Sequence, residues 1–365
     1  MKSSIIDCDI HLPSVKSEVM AYLPRHYCEQ IETFGWRLPT QGSMYLNGAK
    51  GGIMQEQRFP QDGETSSILS YFQKEHLDKY NVDYAILTGI GDYAITATPD
   101  PDYSAALCRA YNDYAIDSFI SADPRIKGSI MIPKSDPLLA AKEIDRIGAC
   151  PGIVQVIASN GAEKPYGNRF YYPIYEACVR NHLPFAVHVS MEGIGINPPP
   201  TGVGRVSHYA EYRLARTQIM MAHLASMIFE GVFERFPALQ FVIIEAGMLW
   251  MAPYLWRMDQ EWKALRSQTP WVKEPPSEYF RKHVKFTSQP IELPPDEFMP
   301  LFPSLLQAIH AEQSLMFASD YPHWDFDSPV RAFPKLDNSL RERIFYQNAA
   351  ALYGLPPRGE TEEVV

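Results

Sequence analysis

Asp9 and His11 stand two positions apart at the end of Ile5-Ile6-Asp7-Cys8-Asp9-Ile10-His11, a short apolar run closed by a carboxylate and an imidazole. In an extended strand side chains alternate faces, so these two point the same way while Ile10 faces the packing. The run is too short for a helix and carries no turn signal, which makes a strand the reading. Asp-x-His pairs also occur at strand ends without function, so the rest of the chain has to supply further ligands. His188 follows Phe185-Ala186-Val187, and Asp320 follows Phe317-Ala318-Ser319. Alone, each has a bland reading: a core histidine, and a turn former ahead of Tyr321-Pro322. Together, Asp9, His11, His188 and Asp320 are a nitrogen and oxygen set suited to one divalent ion, Zn2+ first, Mn2+ or Fe2+ next, with a position left for water or substrate. Such an ion lowers the pKa of its water or polarises a substrate oxygen.

The elements that must position these residues alternate regularly from Tyr84 onward. Apolar runs at 84–88, 127–133, 153–157, 183–188, 241–245, 284–287 and 315–318 read as strands. Between them, helices are expected at 103–122, closed by Pro124, and at 136–147, with Ser135 or Asp136 as cap. Further helices are expected at 172–181, 211–235, 251–265 and 339–353. With the opening strand this makes eight strands alternating with helices, the grammar of an α/β (β/α)8 TIM barrel, in which chemistry gathers at the C-terminal ends of the strands. Polar residues sit at those ends here: Asp9 and His11, Thr88, His188, Glu245, Thr287 with Ser288 and Gln289, and Asp320. Residues 1–355 read as one barrel domain. Within it, 12–71 is a long lid-like insertion after the first strand, rich in aromatics, proline and glycine, and 356–365 is a flexible tail.

Composition bounds the partners. The chain has 365 residues, 46% hydrophobic and 21% charged, as in soluble globular proteins. A formal charge of −10 argues against nucleic acid and anionic membranes, and leaves a small-molecule substrate, aromatic or anionic. The five cysteines include no Cys-x-x-Cys pair, so they read as thiols of a reducing, cytoplasmic compartment. No signal-peptide stretch precedes Asp7 and no run of about 18 apolar residues occurs.

Three motifs carry a resemblance that covers nearly the whole chain. They are Ile6-Asp7-Cys8-Asp9-Ile10-His11, the stretch Gly231-Val232-Phe233-Glu234-Arg235-Phe236-Pro237 leading into Phe241-Val242-Ile243-Ile244-Glu245-Ala246-Gly247, and Ala318-Ser319-Asp320-Tyr321-Pro322-His323-Trp324-Asp325. On these the chain resembles the amidohydrolase superfamily, in the branch containing aminocarboxymuconate semialdehyde decarboxylase and related aromatic-acid decarboxylases. The resemblance implies that Asp9, His11, His188 and Asp320 hold one divalent metal, and that the protein is a homodimer. It departs from the branch in two places: Asp9 stands where many members have His or Glu, and Glu245 stands where many decarboxylases have a histidine.

Glu245 has three readings: general base on a metal-bound water, metal ligand, or buried carboxylate paired with an arginine such as Arg257. Asp320 is a second proton carrier. His323 is a candidate to bind a substrate carboxylate or donate a proton, against a loop histidine packed on Trp324. His208, with Arg205 and Arg213, could meet an anionic substrate; His223 reads as helix packing; His26, His76, His182, His283 and His310 receive no role. The leading expectation is a metal-dependent hydrolase that uses a metal-activated water on an amide, ester, lactone or related carbon. The alternatives are a non-oxidative decarboxylase of an aromatic or unsaturated carboxylic acid, and a non-catalytic binding barrel.

Overall fold

Each apolar run becomes a strand in the computed structural model, which describes residues 4–39, 59–60, 63–89 and 93–357. The strands are β1 (Ile6–His11), β2 (Tyr84–Gly89), β3 (Ile126–Met131), β4 (Ile153–Ser159), β5 (Phe185–His188), β6 (Phe241–Ile244), β7 (Val284–Thr287) and β8 (Leu315–Met316). They pair in chain order, every pair parallel. Strands covered on both faces need continuous apolar runs, which is why sequences such as Phe-Val-Ile-Ile at β6 are buried throughout. The ring closes just past β8: Cys8 N donates to Phe317 O (3.0 Å), His11 N to Tyr321 O (2.8 Å) and Asp320 N to Asp9 O (3.1 Å). This is the (β/α)8 barrel, with β1 and the chain after β8 sharing one seam.

Helix starts follow their caps. Asp100 and Asp136 each accept two backbone N–H bonds ahead of a proline, so Asp136 rather than Ser135 caps the second helix. The helix expected at 211–235 is two: Tyr209–Phe229, then Val232–Arg235. Gly231 between them has φ 73°, a left-handed conformation that ends a helix, and a Cβ there would lie 2.5 Å from Trp271 Cδ1.

The described parts of the 12–71 insertion are tied to the Pro101–Ala115 helix. Val15 N donates to Tyr114 Oη (3.2 Å), the Thr65 hydroxyl meets the same oxygen (2.6 Å), and Trp36 meets Tyr111 edge-on. Phe59 brings the chain back against Tyr321, beside Asp320, with ring centres 6.0 Å apart. The middle of the expected lid, 40–58, and the tail from 358 lie outside the described residues. Among the described residues no helix is long and apolar enough to cross a membrane.

Candidate active site and metal centre

The C-terminal rim brings the four expected ligands together. Asp9, His11 and His188 offer ligand atoms within 4.8 Å of one another, and so do His11, Asp320 and His323. His11 Nε2 lies 3.3 Å from Asp9 Oδ1 and 3.1 Å from Asp320 Oδ1. His188 Nδ1 donates to Val189 O at 3.0 Å, which puts the lone pair on Nε2, 3.4 Å from Asp9 Oδ2 and 3.5 Å from Glu245 Oε2. Tyr93 stacks on the His188 ring and donates to Thr88 O, while the Thr88 hydroxyl donates to Asp9 Oδ1.

The donor atoms left over test whether a metal fits. Among the described residues, Asp9 Oδ2, His11 Nε2, His188 Nε2 and Asp320 Oδ2 are buried without a hydrogen-bond partner. One orphaned polar atom on each of four converging side chains is costly unless a further group satisfies them. Two imidazole nitrogens and two carboxylate oxygens suit a divalent ion of borderline or hard character, so the residues fit the group.

Asp7 supports this quartet. It lies on β1 ahead of a register shift between Asp7 and Ile10, and its oxygens accept from Ser319 N (2.9 Å), Ser319 Oγ (2.5 Å) and His76 Nε2 (2.8 Å). One carboxylate thus fixes the chain next to Asp9 and the chain next to Asp320. His76, given no role from its position, is fully buried and paired with Asp7.

Glu245 and Asp320 follow β6 and β8 in left-handed backbone conformations, φ 56° and 58°. Such a φ costs a residue with a Cβ about 1–2 kcal/mol. At Glu245 the turn is held by its N–H donating to Thr287 Oγ1 (3.1 Å). Its partner is not Arg257, which is mostly exposed and pairs with Glu261 one turn along its own helix. Instead Arg216 Nη2 lies 3.0 Å from Glu245 Oε1 and Arg213 Nη2 3.9 Å from the same atom. Arg257 is only 12 positions away in sequence, but it sits on the outer face of the next helix, whereas the Tyr209–Phe229 helix sends both Arg213 and Arg216 toward Glu245. Burial pushes the Glu245 carboxyl up to about 7, with Arg216 pulling it down and Asp320 pushing it further up.

His323 Nδ1 donates to Asp320 Oδ1 at 2.5 Å, and its ring stacks on His11 with centres 4.5 Å apart, not on Trp324. Burial opposes charge on this ring, but Asp320 outweighs it and the pKa rises to about 9. The Asp320 carboxyl is held far below its ordinary range: burial raises it, and His323 and His11 more than reverse that. Arg213 lies over Trp324, 5.2 Å from the ring centre, and pairs with Asp325. Asp325 also accepts from Gln289 Nε2 at 3.1 Å.

Of His208, Arg205 and Arg213, only Arg213 reaches the rim. His208 caps its own helix through Glu211 (2.8 Å) in solvent, and Arg205 donates to Gly193 O (2.8 Å). His223 is a packing residue as expected: Nδ1 accepts from Tyr166 N (3.1 Å) and Nε2 donates to Asn160 O (2.7 Å). Thr88, Thr287 and Gln289 were visible as polar strand ends. Asp7 and Asp325 stood inside the quoted motifs without an assigned role, and Arg216 and Tyr93 carried no signal beyond their types.

A closed parallel barrel with histidines and carboxylates converging on its C-terminal rim is the layout of a barrel enzyme. Residues 6–355 match the family model described as Amidohydrolase, and the chain belongs to that family, an enzyme of the hydrolase or carboxy-lyase kind. A gamma-resorcylate decarboxylase from Polaromonas sp. is 24% identical over 303 residues, 76% of this chain and 85% of that protein. Among solved structures, a dihydroxybenzoic acid decarboxylase from Polaromonas sp., with bound manganese and the inhibitor 2-nitroresorcinol, is 17% identical, covers 97% of both chains and has a TM-score of 0.66. An amidohydrolase from Mycobacterium avium subsp. paratuberculosis is 18% identical, covers 97% of this chain and 100% of its own, and has a TM-score of 0.70.

Proposed function

We propose that this enzyme is a metal-dependent, non-oxidative decarboxylase of an aromatic or unsaturated carboxylic acid. Asp9, His11, His188 and Asp320 would hold one divalent ion, with Mn2+ ahead of Zn2+. When bound, the ion supplies Lewis-acid attraction for substrate oxygens. The observation that carries the reading is His323. Its Nδ1 is fixed to Asp320 and its ring is stacked on His11, which leaves the other ring nitrogen available as a proton donor beside the ligand quartet.

In the reaction the bond between ring carbon and carboxyl carbon breaks and CO2 leaves. The electron pair stays on the ring carbon and takes the proton His323 gives. Asp320 orients that imidazole. Arg213 and the half-exposed Trp324 face present a cation and a flat apolar surface to an anionic aromatic substrate. Hydrolysis, the first expectation from the sequence, asks for a base that activates water. Glu245 is the candidate, and its Oε1 is already engaged by Arg216. The decarboxylase name of the curated Polaromonas relative supports the same direction, and the manganese in the solved structure supports the choice of ion.

The test is to load purified protein with Mn2+ and assay γ-resorcylate and other hydroxybenzoic acids for CO2 release without water uptake. Incorporation of 18O from water into a product would instead establish the hydrolase, and absence of any stoichiometric ion would favour a non-catalytic barrel. A cytoplasmic homodimer belongs to the same proposal, its mass read by light scattering.

A further inference from the structure

The two sides of the rim differ in what neutralises them. On one side, Asp9 Oδ2, His11 Nε2, His188 Nε2 and Asp320 Oδ2 converge without hydrogen-bond partners among the described residues. On the other, Glu245, Asp320 and Asp325 offer carboxylate oxygens within 4.8 Å of one another, which is also ligand spacing. Here the chain brings its own cations. Arg216 Nη2 lies 3.0 Å from Glu245 Oε1. Arg213 Nη2 bonds Asp325 Oδ2 and stands 3.9 Å from that same Glu245 oxygen. The two arginines are three positions apart on the Tyr209–Phe229 helix, hence on one face of it. Asp320, fully buried and with Oδ2 unpartnered, belongs to both halves of the rim.

We propose that Glu245, Asp320 and Asp325 form a second divalent-cation site, and that Arg213 and Arg216 occupy it in the native protein, so that the centre takes one ion and not two. Three carboxylates make an all-oxygen donor set, which suits Mn2+ or Mg2+. A guanidinium stays protonated throughout the physiological range and cannot exchange with solution, so the second position carries permanent charge. Arg216 also keeps Glu245 Oε1 away from any ion. This inference rests on the metal reading of the quartet, and its test separates the two.

Protein stripped with a chelator is reloaded with Mn2+, and the ions are counted by elemental analysis and by electron paramagnetic resonance. Wild type is expected to hold one ion per chain with the spectrum of an isolated Mn2+. The R213M/R216M variant is expected to hold one more, with an exchange-coupled spectrum because Asp320 bridges both positions. Adding Asp325→Asn to that variant should return the count to one. Circular dichroism establishes that the variants fold. Should the double variant fail to fold, R213M alone, whose side chain is partly exposed, is expected to exceed one ion per chain at a Mn2+ concentration that leaves wild type at one.

Folded variants that bind no more Mn2+ than wild type overturn the proposal while leaving the one-ion reading intact, and a wild type that already binds two overturns it as well. A wild type that binds none sinks the reading of the quartet, and a gain of one ion in the variants would still support the role of the arginines.

Discussion

Asp7→Ala removes a carboxylate that touches no candidate substrate position, yet it should damage both the barrel and the metal site. In the native structure its oxygens accept from Ser319 N, Ser319 Oγ and His76 Nε2, all buried. The Ser319 hydroxyl can rotate to another acceptor; the Ser319 amide and the His76 ring cannot. Apart from Asp9 N, which lies 3.4 Å from Asp7 Oδ1, two buried donors are therefore stranded, each at about 1–3 kcal/mol, a total of about 2–6 kcal/mol. Domain stabilities are about 5–15 kcal/mol, so this is a large loss. Asp7→Asn should cost less, because the amide oxygen can still accept from one of the two donors that cannot rotate, Ser319 N or His76 Nε2, so that one is stranded in place of two. Urea unfolding of the metal-free proteins, followed by tryptophan fluorescence, measures both. Mn2+ affinity of the folded variants should also fall, by about 10–100-fold, because Asp7 fixes the backbone beside two expected ligands. A loss below about 1 kcal/mol for Asp7→Ala, together with unchanged affinity, would refute this account.

Two further outcomes follow from the geometry. His188→Ala and Asp320→Ala should each lose stoichiometric metal while keeping the barrel's circular dichroism; full metal content in either means that the quartet is not the site. Burial holds the His223 pKa down, to about 4 from 6.5, so the unfolded chain binds more protons between those values, and stability falls as pH drops through that window. The loss is about 2 kcal/mol at pH 5. His223→Gln should flatten that part of the stability profile, and an unchanged slope would show that the histidine is not the group responsible.

The barrel was legible because fully buried parallel strands leave uninterrupted apolar runs, and His188, Glu245 and Asp320 are the residues at which such runs turn polar. The metal quartet could be grouped for the same reason. Once strand ends share a rim, residues 9, 11, 188 and 320 become neighbours. What stayed hidden depends on rotation and packing. Arg216 lies 29 positions before Glu245 in a helix whose periodicity says which face is buried but not which strand end lies above it. Arg257 looked nearer along the chain and points outward. The left-handed φ of Glu245 and Asp320 had no signal because neither is glycine. The break at Gly231 was readable in principle, since the glycine was there, but the apolar period on both sides masked it.

The seam between β1 and the chain after β8 sets an order of events. Its bonds join Asp7 to Ser319, 312 positions apart. While the chain is being made from its N-terminus, Asp9 and His11 emerge first and wait for nearly the whole sequence before Asp320 exists to complete the rim. A chain that ends before Asp320 therefore carries three of the four expected ligands, Asp9, His11 and His188, on an open sheet, with its first strand unpaired on one side. On the proposed reading, the ligand set and the seam that closes the barrel are both completed only in the last part of the chain.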